Sequence, residues 1–376
     1  MAHRRILLPS LIAAWSCLAA AAPPRLEILS KALDGPVLLA GGDSGLIAVP
    51  VEPGEQYPPA HQEEAVRPAV AAPPAPQPPS GKADWRLAVD MSVTADSNVT
   101  NGTRLRAVPI DLGDGPLPVP VDPNLREKAG LGAGVSAAAN VRLPVAAGAA
   151  LAVDVEGYAV EYEGPRSDDA SALVAAGLEF GDGNAPDGSL QLIAFERWYG
   201  GVKALEGIGM RGNWRHAIGP RSNLRLAIDA RIFDSGYGEA FGGSQASVYL
   251  TYDSVLAPSL SLSGGIYARR EWLGNDSFSS LDAGAYAGLS AYLDEDFAGG
   301  ITAGLSRTLF DEPFLLLGAD PRRDWRAYAS GWLTTREAVA WGLRPSLTYT
   351  YSRTASSISY FSSDRHRLRL GLQRKF

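Results

Sequence analysis

The chain is poor in the residues that several kinds of chemistry require. It has one cysteine in 376 residues, Cys17. That residue lies in the opening apolar stretch, so once the stretch is removed neither a disulfide nor a thiol nucleophile remains. Only four histidines occur, His3, His61, His216 and His366, and no metal-ligand cluster, nucleotide loop or nucleophile elbow surrounds any of them. No window supplies the roughly 18 to 20 apolar residues of a membrane-crossing helix, and mean hydropathy is −0.04. Basic residues do not dominate either. Lys and Arg number 34 against 41 Asp and Glu, a net charge of −7, where a nucleic-acid binder needs a basic footprint. These shortages exclude thiol chemistry and helical membrane spans. They do not touch membrane crossing by strands, whose alternating pattern averages to neutral hydropathy.

What the sequence does have is alternation, clearest at its end. Val339, Trp341, Leu343, Leu347, Tyr349 and Tyr351 share one parity, and Arg344, Ser346, Thr348, Thr350 and Ser352 the other. After a polar loop, Leu368, Leu370 and Leu372 oppose Arg367, Arg369, Gln373 and Lys375, and the chain stops on Phe376. A period of two puts successive side chains on opposite faces of a strand. One face here is apolar and the other polar, as in an outer-membrane barrel whose strands separate lipid from lumen. A terminal strand ending in Phe resembles the signal that barrel-insertion machinery reads, which makes Phe376 a candidate assembly signal.

The start of the chain is different material. Residues 1–22 read as a secretory signal: Arg4 and Arg5, an apolar core from Ile6 to Leu18, then small residues from Ala19 to Ala22. A lipid-modified Cys17 is the alternative, with Ala-Trp-Ser before it a poor match to that motif. Residues 23–84 form a Pro- and Ala-rich segment, most extended over Val51–Lys82, a composition that makes a stiff periplasmic tether rather than a core.

From Trp85 to Phe376 the alternation recurs in fourteen candidate strands, an even count that suits a single-chain bacterial barrel with both termini periplasmic. The fold class expected is therefore all-β, a transmembrane antiparallel barrel over 85–376. Short connections such as Pro144–Gly148, Gly219–Ser222 and Asp294–Asp296 alternate with long ones such as Asp96–Lys128 and Phe310–Asp324, and the long loops of such barrels face outside. Gly181–Gly188 is longer than its short-turn position demands. On the polar parity the register places many charges, Arg307 among them, with Arg225, Asp229, Arg231, Arg344, Arg367 and Arg369 as lumen-lining candidates. Such charges require water or partners across the lumen.

Catalysis would need a histidine with a carboxylate or hydroxyl partner near the outer rim. His366 is the one in the right place, and Arg365, Arg367 and Arg369 around it disfavour an imidazolium. The Asp182–Gly188 stretch lacks the spacing and closing Glu of a calcium loop and reads as a turn. No enzyme, cofactor or metal is expected.

Two stretches carry a family resemblance. VTADSNVTNGT at the end of the first strand and GLRPSLTYTYSRTASSISYFSSDRHRLRLGLQRKF at the end of the chain are similar to the barrel of the surface lipoprotein assembly modifiers, and Asp324-Trp325-Arg326 fits the same pattern. The resemblance implies a fourteen-stranded barrel that helps move a lipoprotein or other protein client across the outer membrane. Family members carry a periplasmic helical-repeat domain before the barrel. No repeat of about 34 residues precedes it here, so what that domain does would come from a separate chain or not occur. The alternative is a porin-like diffusion channel for small solutes.

Overall fold

Where an apolar face can be solvated by lipid and a polar face by a lumen, period-two sequence closes on itself. The computed structural model describes residues 83–376 apart from 112–115, 124–125, 164–167, 182–186 and 315–316. The signal segment and nearly all of the tether expected over 23–84 lie outside the described residues, as does most of the Asp182–Gly188 turn.

The strands are β1 (Asp84–Asp96), β2 (Ala107–Asp111), β3 (Pro116–Pro120), β4 (Gly130–Ala146), β5 (Ala149–Tyr162), β6 (Asp169–Phe180), β7 (Gly188–Tyr199) and β8 (Val202–Gly219). They continue with β9 (Ser222–Ser235), β10 (Gly243–Ala257), β11 (Leu260–Leu273), β12 (Ser280–Tyr292), β13 (Phe297–Pro313), β14 (Pro321–Thr335), β15 (Arg344–Ser356) and β16 (Ser363–Lys375). Fourteen of them form one closed antiparallel barrel, each paired with its chain neighbour and β1 closing on β16; β2 and β3 pair only with each other. All-β architecture and strand count match the expectation.

The two parities separate as expected. On β16 Leu368, Leu370 and Leu372 are exposed outside while Arg365 and Arg367 are buried within; on β15 Leu347 and Tyr349 point out, and Ser346, Thr348 and Thr350 point in. Exposed Leu, Ile, Val or Met recurs on the outside of every barrel strand. In water this would be an apolar patch far larger than soluble proteins tolerate; in a bilayer it is the lipid contact. Aromatics mark both margins: Trp85, Phe180, Trp214 and Phe376 at the short-turn rim, Trp272 and Trp325 at the other.

Short turns and long loops sort to opposite rims with three exceptions: the β6–β7 connection over 181–187 and the β14–β15 connection over 336–343 are long members of the short-turn rim, and the third is a tight turn on the other rim. β7 and β8 join through Gly200-Gly201 on the long-loop rim, at φ of 59° and 79°. Two consecutive positive-φ residues make the twist-matched hairpin turn for which glycine is the usual choice. The first long loop carries the β2–β3 hairpin and is tied at the rim. The Val99 amide donates to the Lys128 carbonyl at 2.8 Å, the Thr100 hydroxyl to that of Arg126 at 2.8 Å, and Arg104 meets Asp364 of β16 at 3.0 Å.

One expected strand segment is a turn instead. Alternation from Val339 to Leu343 suggested strand, but the chain turns at Ala340–Gly342, with Trp341 at φ 57° and Gly342 at φ 74°. β15 begins only at Arg344. Two residues with positive φ break an extended chain, and Trp341 stands exposed in this turn rather than on a strand face.

Candidate functional site in the barrel lumen

The lumen wall has two chemically distinct sectors and a seam. From β4 to β9 the inward face is a chain of polar contacts. Asp154 of β5 accepts from Asn140 at 2.6 Å, from Gln191 at 2.6 Å and from Arg211 at 2.9 Å. Arg211 also donates to Gln191 at 2.7 Å, while Arg142 pairs with Glu179 at 2.9 Å and Arg197 with Asp169 at 2.7 Å. Arg231 meets Asp229 at 2.6 Å and lies 5.0 Å over the Phe195 ring. Asp154, Gln191, Arg211 and Arg231 are all buried, which ion pairs tolerate only when their remaining donors and acceptors are also satisfied.

From β10 to β14 the inward face is a column of tyrosines. Tyr249 and Tyr267 stack at 5.5 Å, and Tyr286 shares a hydrogen bond with Thr251 at 2.8 Å. Their rings lie over glycines of neighbouring strands. A Cβ built on Gly284 would stand 2.7 Å from Tyr267, one on Gly265 2.9 Å from Tyr286, and one on Gly304 would collide with Tyr328. Charge on this side is sparser: Arg225 pairs with Asp253 at 2.6 Å, Arg322 pairs with fully buried Asp324 at 2.5 Å, and between them Arg269 lies 3.8 Å from Glu271 and 3.9 Å from buried Asp282. The Arg322 guanidinium also stacks 3.7 Å from the Phe361 ring.

The seam joins β1 to β16. Asp96 receives Arg365 at 2.6 Å and Arg367 at 3.2 Å, and Asp90 pairs with Arg369. The Ser97 amide donates to the His366 carbonyl at 2.9 Å, and the His366 amide returns to the Ser97 hydroxyl at 2.9 Å. Asn98, with no exposed surface, holds the turn by accepting from the Gly102 amide at 2.9 Å and donating to its carbonyl at 3.1 Å. The Asp-Ser-Asn triplet thus ties the β1–β16 seam at its long-loop end. Beside it on the lumenal side lies a half-open pocket among Ser92, Thr94, Tyr158, Tyr162, Thr348 and Arg367.

The six lumen candidates divide between these regions. Arg225, Asp229 and Arg231 lie on β9; Arg344, Arg367 and Arg369 lie on β15 and β16. Arg344 stands opposite Gln373. They do not converge on one site. Phe376 sits 52% exposed at the short-turn rim, paired with Leu87 through its own amide at 2.8 Å. Two readings are corrected. Arg307 shares outward parity with Leu305 and Leu309 and lies 5.3 Å over the outward Trp325 ring; parity stops reporting polarity where a strand leaves the hydrocarbon. His366 faces outward too, opposite in parity to the three arginines. Its Nδ1 is 2.8 Å from the Tyr349 hydroxyl and its ring 4.9 Å from Tyr351. Missed altogether were the roles of Asp96 and Asp324, which read as loop-edge residues, and the tyrosine column, whose glycine partners sit on adjacent strands.

No curated protein matches the chain. Among solved structures it is similar to the outer membrane channel DcaP of Acinetobacter baumannii, at 9% identity, covering 80% of this chain and 100% of that one with a TM-score of 0.44. It is similar also to the outer membrane protein OprD of Pseudomonas aeruginosa, at 9% identity over 78% and 94% of the two chains with a TM-score of 0.42. The family model described as surface lipoprotein assembly modifier matches residues 85–376, all but the first residue of the barrel. The chain belongs to the surface lipoprotein assembly modifier family, of which it carries the outer-membrane barrel.

Proposed function

We propose that this barrel is a translocation factor that assists surface display or secretion of a lipoprotein or other protein client. The observation that carries the reading is the family match across residues 85–376. The lumen is compatible with it: its charges are engaged with one another and one wall is ring-lined, so an extended polypeptide meets few unsatisfied charges. In this reading both termini are periplasmic, Phe376 is read by the insertion machinery, and the 23–84 segment tethers a separate periplasmic partner supplying helical repeats. The role is non-catalytic, and the site needs no cofactor. The second reading, a diffusion channel for small solutes, is supported by the pocket beside the seam, whose largely apolar wall carries Ser92, Thr94, Thr348 and Arg367.

One deletion strain and one purified protein separate the two. Loss of the barrel should trap a specific client in the periplasm and leave small-solute uptake unchanged. Steady, ungated conductance in a planar bilayer together with an unchanged surface proteome would end the translocation reading in favour of the channel.

A further inference from the structure

The outside of the barrel is polarised at its long-loop margin. Around Trp325 stand three outward arginines. Arg307 is its direct partner on β13, Arg323 precedes it by two on β14, and Arg353 is its diagonal neighbour on β15, since Trp325 itself pairs with Ala355. Directly opposed positions are about 5 Å apart and diagonal ones about 7 to 8 Å, so the three arginines surround the Trp325 indole as near neighbours, spaced to meet several phosphates of one large headgroup. All three residues are exposed. Arg307 and Arg323 have no acidic partner among the described residues, and Arg353 has Asp364 at 3.7 Å, a carboxylate that Arg104 approaches more closely at 3.0 Å. The nearby Asp311 is held by Arg270. Toward the opposite rim the same face is uncharged, through Ile301 and Leu305 on β13, Ala327 to Leu333 on β14, and Leu347 on β15. The arginines therefore stand at the boundary between hydrocarbon and headgroups, with an indole 48% exposed among them. Across the barrel the equivalent margin is acidic. Glu196, Glu206 and Asp234 stand in one row on β7, β8 and β9, and Lys203 reaches Glu206 at 2.7 Å and Glu196 at 3.7 Å.

We propose that the outward face around Trp325 is a binding site for a multiply phosphorylated glycolipid of the outer leaflet, with Arg307, Arg323 and Arg353 as phosphate ligands and Trp325 as the interfacial platform. Guanidinium matches phosphate in both charge and fork geometry. A phosphate-rich leaflet gives unpaired cations at this depth their counter-charge, and a zwitterionic one does not. The site rests on the reading that the long-loop rim is extracellular. It gives the barrel a fixed lipid contact on one flank only, the flank that ends at β15 and β16 beside the seam.

The test uses the full mature chain purified in detergent. It is titrated with phosphorylated lipopolysaccharide, with the same glycolipid after dephosphorylation, and with phosphatidylethanolamine, and retained lipid is read by native mass spectrometry. Retention of the phosphorylated form should weaken about fivefold for each arginine changed to Gln and roughly a hundredfold for Arg307→Gln, Arg323→Gln and Arg353→Gln together. Glu196→Gln with Glu206→Gln should change nothing. Heat-modifiable mobility reports folding of each variant, and Arg-to-Lys replacements, which keep the charge, should keep most of the binding. Equal retention by the folded triple Gln variant, or equal retention of dephosphorylated lipid, overturns the site. So does a triple variant that retains lipid while losing an acidic protein client, which would make the face a protein-docking surface. A cysteine at Ser359, labelled on intact cells with an impermeant maleimide, tests the orientation separately: labelling with unchanged lipid retention rejects the site alone, and failure to label rejects the orientation.

Discussion

Between β4 and β9 the lumen wall is held by ion pairs, and between β10 and β14 by tyrosines lying over glycines. In the first sector the charged groups are buried or half-buried among their partners, with Asp154 serving Asn140, Gln191 and Arg211 at once. In the second, Tyr267, Tyr286 and Tyr328 use space that exists because Gly284, Gly265 and Gly304 lack a side chain. The sectors therefore fail differently. The charged one is sensitive to removal, because taking one member away strands the others in a poorly hydrated place. The ringed one is sensitive to addition, because a single methyl group occupies the seat of a ring.

The largest effect should come from Asp154→Ala. Arg211 is buried and would lose its nearest carboxylate, keeping Gln191 at 2.7 Å and a more distant Glu156 at 4.0 Å among its partners. Breaking a buried pair on one side costs on the order of 3 to 5 kcal/mol, read as a lower urea midpoint for the folded, heat-modifiable form. A change within experimental error would mean that water fills the wall there and that the sectors do not differ in the way described.

An intermediate effect is expected from Gly304→Ala. The new methyl collides with the Tyr328 ring, and overpacking of this kind costs about 1 to 3 kcal/mol. The decisive comparison is the same substitution made on a Tyr328→Ala background, where it should cost almost nothing. A coupling of about 0.5 to 3 kcal/mol between the two positions is the signature of direct contact. Additive effects would show that the glycine serves the backbone rather than the ring.

The same contrast explains what was legible in the sequence. Inside–outside parity could be read wherever lipid and lumen impose opposite chemistry on neighbouring residues, as on β15, where Leu347 and Tyr349 alternate with Ser346, Thr348 and Thr350. It failed at the margins, where that opposition vanishes. Arg307 is outward because its guanidinium sits over Trp325 at the headgroup level, and Val339–Leu343 alternates without being a strand. The charged sector was visible as a list of residues on the correct parity, but not as pairs. Asp154 and Arg211 are 57 residues apart in the chain, and Asp96 and Arg365 are 269 apart, so only closure of the barrel brings them together. The tyrosine column left no signal in any single strand, since each ring depends on a glycine in the next.

The smallest effect on stability, and the sharpest separation of wall energetics from assembly, is expected from deleting Phe376. The residue touches neither sector. It is half exposed at the short-turn rim, its ring lies 4.4 Å from the Arg374 guanidinium, and its backbone adds one exchange of hydrogen bonds with Leu87 beyond the β1–β16 ladder. A terminal hydrogen-bonded pair open to the interface contributes about 1 kcal/mol or less, so barrels that do fold should unfold at nearly the same urea concentration as the intact protein. The amount of folded barrel reaching the outer membrane should nevertheless fall several-fold, because on our reading the terminal aromatic is recognised during insertion. Measuring midpoint and folded yield on one preparation distinguishes the possibilities. A shifted midpoint with normal yield would assign Phe376 to the seam itself. A normal midpoint with reduced yield would assign it to assembly and leave the two walls as the source of the barrel's stability.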